Sequence, residues 1–251
     1  MTGSDEAKQE PTPKASSNMT GRSESQEVIP QSLRFGIGVV LTALAGFIDA
    51  VGFIELGGFF ASFMSGASIS VGVNASTMHT DAMYHALLLV TIFVVAATAS
   101  SVISGMIRPW GIPAAIALEG TCLSGALLMI ESNWPSSISI MPVVAAMGVQ
   151  NTALQPIHGV RLGVTFMTGT LVSLSQALGG SVTGNARPWS WTPHALIWCL
   201  FVAGAAAGAM FHKEYGFAAI AVPTLAVWLL GLSAFIAVFL AVRKEKAPEG
   251  A

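Results

Sequence analysis

Residues 62–66 read Ser-Phe-Met-Ser-Gly, and residues 165–169 read Thr-Phe-Met-Thr-Gly, at an offset of 103. Each copy lies in a short run of small, hydroxyl-bearing residues, at 59–73 and 162–178, within a chain that is otherwise strongly apolar. Such runs are short for crossing a hydrocarbon core of about 30 Å. Short polar segments at matching positions of a duplicated membrane unit are typical of a transport site.

The duplication extends outward from the repeated phrase. Gly46–Asp49 aligns with Gly148–Asn151 at an offset of 102, and Ala114–Ala117 recurs as Ala218–Ala221 at an offset of 104. The matches keep the same order, and the offset drifts by only two residues. The pattern therefore predicts two structural repeats, at about 33–131 and about 138–242.

Composition indicates a multi-pass membrane protein. The chain has 251 residues, of which 53% are hydrophobic and 10% charged, whereas a soluble domain is about 25% charged. The charges concentrate at the two ends, so we expect a disordered cytoplasmic tail at 1–32, one transmembrane domain at 33–242 and a cytoplasmic tail at 243–251. There is no basic stripe for nucleic acid.

Six apolar runs are long enough, or nearly so, to cross the bilayer: Leu33–Ile54, Ala82–Ile107, Ile112–Ile130, Ile138–Leu154, His194–Phe211 and Phe217–Val242. The two short runs either cross as well, making eight spans, or dip in and return. The second topology leaves only Lys213 outside, and it places these basic residues inside: Arg34, Arg108, Arg161, Arg187, Arg243, Lys244 and Lys246.

This asymmetry favours the second topology. The expected fold is an all-α membrane protein with six transmembrane helices and two short re-entrant or broken helices. Three crossings per half turn the second half upside down, which makes an inverted 3+3 repeat. Both termini are then cytoplasmic, in a plasma or inner membrane.

Asp49 is the most informative single residue, because an ionisable group within a span costs about 2.5–3.5 kcal/mol on insertion scales. It is expected to be a proton or cation site or an acceptor for substrate; packing between helices and hydration near the interface are the alternatives. Its repeat counterpart is Asn151, next to Gln150. These amides are expected to face Asp49 across a pathway, or to bond between helices.

Glu119, in the third long run, could pair with Gln150, take up a proton or face water in a cleft. Glu55 falls at a predicted loop, where solvation explains it. The short segments offer hydroxyl groups and permissive glycines that coordinate a solute, or else simply pack tightly. Their candidate pathway residues are Met64, Ser65, Gly66, Ser68, Thr168, Gly169 and Thr170.

Signatures of enzymes are missing from the sequence, including the G-x-S-x-G elbow, H-E-x-x-H and the phosphate-binding loops. We therefore expect no catalysis, no cofactor and no metal site; Cys122 and Cys199 lie in apolar runs and are expected to form no disulfide.

The favoured function is a small transporter or channel-like protein for a small polar solute or ion. A non-transporting sensor, scaffold or partner-binding protein is the alternative. The expected partners are the lipid bilayer and that solute, and a homo-oligomer is compatible with the sequence.

The order of these motifs resembles the YoaK-like family of multi-pass membrane proteins, a family of unknown function. The resemblance rests on Asp49, Gly57-Gly58 and residues 63–66, followed by residues 148–151 and 168–170. It covers roughly 35–240 and implies fold and location, but no substrate. The family's first motif usually reads Met-Thr-Gly-Asn, and here Ser65 and Ala67 replace its Thr and Asn.

Overall fold

The computed structural model of the chain describes residues 31–153 and 167–245. The tail at 1–30, the last six residues, Arg161, and Thr165-Phe166 of the repeated phrase lie outside the described residues. Within the described ranges the chain is helical and contains no strand, which confirms the all-α prediction. The helices are α1 (Gln31–Glu55), α2 (Met64–Ser76), α3 (Thr80–Met106), α4 (Gly111–Glu131), α5 (Ser136–Ser139), α6 (Met141–Ala153), α7 (Met167–Val182), α8 (Thr192–Tyr215) and α9 (Ala221–Glu245).

Four described stretches are long and apolar enough to cross a membrane: Phe35–Glu55, Thr80–Met106, Gly111–Glu131 and Thr192–Arg243. The first three correspond to predicted spans. The fourth has 52 residues, about 78 Å as one helix at 1.5 Å per residue, more than twice the hydrocarbon thickness. It is divided by a 3₁₀ turn at Gly216–Ile220, where Gly216 has a φ of +57°. The described part of the predicted run Ile138–Leu154 contains the end of the short α5 and then α6.

The helices differ sharply in how deeply they are buried. Eight of the 13 residues of α6 are buried, so α6 lies at the centre of the bundle. Only Ala67 is buried in α2, and only Met167 and Thr170 in α7. The two short helices therefore lie at the periphery, where α2 packs along α3 and α7 along α8.

Glycines bring α1 and α8 into backbone contact. A Cβ on Gly204 would collide with the main-chain oxygen of Ala43, and one on Gly208 with that of Phe47. Both helices advance by four residues between these contacts, so α1 and α8 run in the same direction. Small residues allow this close approach, which gives membrane helices much of their packing energy.

Similar contacts give the relative directions of two further helix pairs. Gln150 of α6 is bonded to Leu41 of α1, whereas Gly52 of α1 lies near Ile140, just before α6 begins. The helices α1 and α6 are therefore antiparallel. In α4 and α9, Gly120 contacts Trp228 and Ile116 contacts Gly231. These two helices are therefore antiparallel as well.

Candidate functional site

Asp49 is bonded to the first copy of the repeated phrase. The Ser62 main-chain N–H donates to Asp49 Oδ1 at 2.9 Å, and the Ser62 hydroxyl donates to Oδ2. Both residues are buried, Asp49 at 2% exposure and Ser62 at 0%. Since both carboxyl oxygens are engaged, Asp49 holds the chain segment that precedes α2.

That segment turns back into the bundle because two glycines follow α1. Gly57 has a φ of +63° and Gly58 a φ of +113°, a backbone region that glycine adopts without strain. The Gly58 N–H closes the helix end by donating to the Phe53 oxygen at 2.9 Å. Asp49 lies six residues before the end of α1, so Ser62 returns about 9 Å along the helix.

Aromatic rings fix the returning segment against two long helices. The centroid of Phe60 lies 4.8 Å from that of Phe53 in α1 and 5.1 Å from that of Phe63. Phe63 in turn lies 6.2 Å from Phe201 of α8, edge to face. The segment 56–63 is thus non-helical chain packed against α1 and α8.

A pocket of about 250 Å³ lies beside this segment. Its walls come from α1, α8 and Phe60, and they are apolar except for Asp49. The lining residues are Gly46, Asp49, Ala50, Phe53, Ile54, Phe60, Phe201, Ala205 and Ala209. Asp49 is the one residue with a polar side chain in this lining, and both of its carboxyl oxygens are engaged by Ser62.

The candidate residues of the short helices lie mainly at exposed positions. Ser65, Gly66 and Ser68 of α2 are exposed, Met64 is half-buried, and the Ser68 hydroxyl donates to the Met64 oxygen at 2.8 Å. In α7, Thr168 and Gly169 are exposed and Thr170 is buried. The structure joins the first of these segments to Asp49 through Ser62.

Gln150 and Asn151 do not face Asp49, contrary to expectation. Gln150 Nε2 donates to the Leu41 oxygen at 2.9 Å, and Leu41 lies eight residues before Asp49 in α1, about 12 Å along the helix. Asn151 Nδ2 donates to the Met147 oxygen within α6. Gln150 therefore bonds α6 to α1, which was the second interpretation of this residue.

Glu119 is enclosed in the interior without a hydrogen bond. Its side chain is 0% exposed, and neither carboxyl oxygen has a partner. The expected pairing with Gln150 is not formed, and the alternative of a water-facing cleft is excluded by its burial. Gln150 Oε1 is likewise buried without a partner.

The sequence did not predict a polar contact between the ends of α1 and α8. Glu55 is the last residue of α1, and its Oε1 lies 2.8 Å from Nε2 of His212 in α8. The expectation of a merely solvated loop residue is therefore wrong for Glu55. The partners lie 157 positions apart, and no local pattern in the sequence joins them.

Comparison with known proteins identifies the family. Residues 37–233 match the model of a protein family of unknown function, DUF1275. The chain belongs to this family. It is 33% identical over 206 residues to the UPF0700 transmembrane protein RA0705 of Rhizobium meliloti (strain 1021), covering 80% of this chain and 88% of that protein. It is 25% identical over 147 residues to the UPF0700 transmembrane protein YoaK of Bacillus subtilis (strain 168), covering 56% of this chain and 65% of that protein.

Membership confirms the YoaK-like resemblance. The transmembrane relatives and the long apolar helices together make this DUF1275 member an integral membrane protein. No solved structure matches the chain. Both relatives are named as transmembrane proteins, and neither name mentions a substrate.

Proposed function

We propose that this DUF1275 protein is a small transporter or channel-like protein that moves a small polar solute or ion past the segment held by Asp49. The observation that carries the proposal is the Asp49–Ser62 pair. It fixes non-helical chain about 9 Å inside the end of a long apolar helix. Non-helical backbone at membrane depth is tolerated only where protein buries it or where it borders a cavity.

The adjacent pocket sets the size of the solute. Its volume of about 250 Å³ equals that of about eight water molecules at roughly 30 Å³ each. Such a space accommodates a partly hydrated monovalent ion or a solute of a few heavy atoms.

The topology proposed for this function has six crossings and two re-entrant segments, arranged as an inverted repeat. Two observations support it. When the two halves of the chain are aligned, α6 is the counterpart of α1, and these two helices run antiparallel. Eight crossings would instead make them parallel. The first helix of each repeat also packs against the third helix of the other, α1 on α8 and α6 on α3.

Equivalent glycines make these two packings alike. Gly46 of α1 lies against the main-chain oxygen of Phe201, and Gly148, its counterpart at an offset of 102, lies against that of Phe93. In this arrangement both termini are cytoplasmic. We place the protein in a plasma or inner membrane and assign no residue a catalytic role.

The test is flux through purified protein in liposomes. Swelling after an osmotic step reports entry of urea and glycerol, and tracer uptake reports Na⁺ and K⁺. We expect at least one of these four probes to enter faster than into empty liposomes. Equal rates for all four would contradict a pathway of this size and favour the non-transporting alternative.

A matched pair of variants locates the pathway. Ala205 lines the pocket, and its neighbour Ala206 is exposed and does not. Ala205→Leu is expected to slow the flux because the added side chain fills the pocket, whereas Ala206→Leu should leave it unchanged. Equal flux through both variants would place the pathway elsewhere.

A further inference from the structure

Glu119 is a buried carboxyl near the middle of α4, and neither of its oxygens has a hydrogen-bond partner. It lies eight residues after the start of α4 and 12 before its end, about 12 Å and 18 Å from the two ends. Its side chain is fully buried, and both oxygens lack a hydrogen-bond donor. Buried polar groups are normally paired, so an unpaired acid requires an explanation.

The charged groups around α4 do not provide one. Among the described residues packed against α4, those of α5, α6 and the 3₁₀ turn include no titratable side chain. The titratable groups of α3 are Asp81, Tyr84 and His85 near its start, and those of α9 lie at its end, from Arg243 onward. On α4 itself only Cys122 and Glu131 are titratable. An ionised Glu119 would therefore have no counter-charge at its level from the described residues.

The unpaired buried side-chain atoms of the described residues share one chemical property. In the described part of the chain, the buried side-chain atoms without partners are the two Glu119 oxygens, Gln150 Oε1 and Ser100 Oγ. They lie on α4, α6 and α3, three helices that pack against one another. All are oxygens that can accept a hydrogen bond; the Ser100 hydroxyl can also donate one, and a carboxyl gains an O–H donor when it binds a proton.

We propose that Glu119 is a reversible proton-binding site. A proton adds to one carboxylate oxygen to form the neutral acid, and the same O–H bond breaks when the proton leaves. Glu119 lines neither the pocket beside Asp49 nor a second pocket, which lies between α4 and α9. A proton, unlike a metal cation, needs no cavity. Ser100 and Gln150 carry unpaired oxygens on two helices that pack against α4.

The proton would be the ion coupled to the proposed transport, and this coupling role of Glu119 rests on the proposed function. It also separates the roles of two buried acids. Asp49 has both oxygens engaged by Ser62 and positions a chain segment. Glu119 has neither oxygen engaged, so its bonding can change when a proton binds or leaves.

Infrared spectroscopy of the full-length protein in lipid tests the proposal without any transport assay. The protein is made with glutamate labelled with ¹³C at the side-chain carboxyl, so that bands from aspartate are separated by isotope shift. We expect a labelled, protonated-carboxyl band at neutral pH that disappears reversibly at alkaline pH. The band should be lost in Glu119→Gln, whose amide resembles the neutral acid, and retained in Glu131→Gln, at the exposed end of the same helix.

Three outcomes decide the proposal. Absence of the labelled band from the wild-type protein at neutral pH would overturn it. A band that persists up to the pH at which the protein unfolds would also overturn it, because Glu119 would then be a permanently neutral structural group. If Glu119→Gln does not fold, Glu119→Asp serves instead, since its unlabelled carboxyl removes the shifted band. A reversible band in a protein that moves no solute would retain the proton site and reject the transport function.

Discussion

Ser62 donates two hydrogen bonds to Asp49, from its main-chain N–H and from its hydroxyl, across 13 positions of the chain. The acid lies in a long helix, and the serine begins the phrase that recurs in the second half. The pair therefore joins the two features that the sequence singled out independently. It also explains why a costly acid is kept within a span: it satisfies a polar main-chain group that has left the helix.

Substitutions of Asp49 should differ according to their hydrogen bonds. Asp49→Asn can accept from the Ser62 N–H and donate to its hydroxyl, so most of the stability should remain. Asp49→Ala leaves the buried N–H unpaired and should cost about 1–3 kcal/mol. Thermal unfolding in detergent measures the difference, and Ser68→Ala, at an exposed hydroxyl within α2, is the control. Equal losses for the two Asp49 variants would show that the pair does not hold the segment.

The contact between α1 and α8 should tolerate no side chain at Gly204. A Cβ there meets the main-chain oxygen of Ala43, so Gly204→Ala must push the helices apart at a cost of about 1–3 kcal/mol. Gly105→Ala, in α3 with open space around it, should be neutral or slightly stabilising. Unfolding midpoints of the two variants in the same detergent test this, and similar midpoints would argue against the packing.

The contact between Glu55 and His212 should stabilise the ends of α1 and α8 against separation. Both side chains are 17% exposed, so a coupling energy of about 0.5–1.5 kcal/mol is expected. A double-mutant cycle with Glu55→Gln and His212→Ala measures it from unfolding free energies. Pairing His212→Ala with Glu214→Gln, at an exposed neighbour in α8, should give no coupling. A coupling near zero in the first cycle would mean that the contact adds nothing to stability.

Labelling of single cysteines distinguishes the two topologies. In a background with Cys122 and Cys199 replaced by alanine, Ser76→Cys should react with an impermeant maleimide from outside and Asn185→Cys only after the membrane is opened. Asn185 is chosen rather than the adjacent Gly184, because the φ of Gly184 is +74°, a backbone conformation that disfavours a side chain. Protection of both cysteines in intact cells would support eight crossings instead.

Much of the fold could be predicted because the length and composition of apolar runs are local properties. The bounds of α1, α3 and α4 agree closely with the predicted spans, since no partner is needed to tell that a helix is long enough for a bilayer. Candidate partners were harder to assign. Gln150 was expected to meet Asp49 or Glu119, or else to bond between helices, and the sequence could not choose between these; it bonds to Leu41 in the first helix.

The sequence by itself determined that this is a helical membrane protein of the DUF1275 family with a repeated polar phrase in each half. Hydropathy and motif order suffice for that, because both are read along the chain. Only the tertiary structure decided that Asp49 is engaged by Ser62, that Glu55 meets His212 and that Glu119 has no partner. Hydrogen bonds require atoms about 3 Å apart, and the direction and packing of helices distant in the chain determine which atoms come that close.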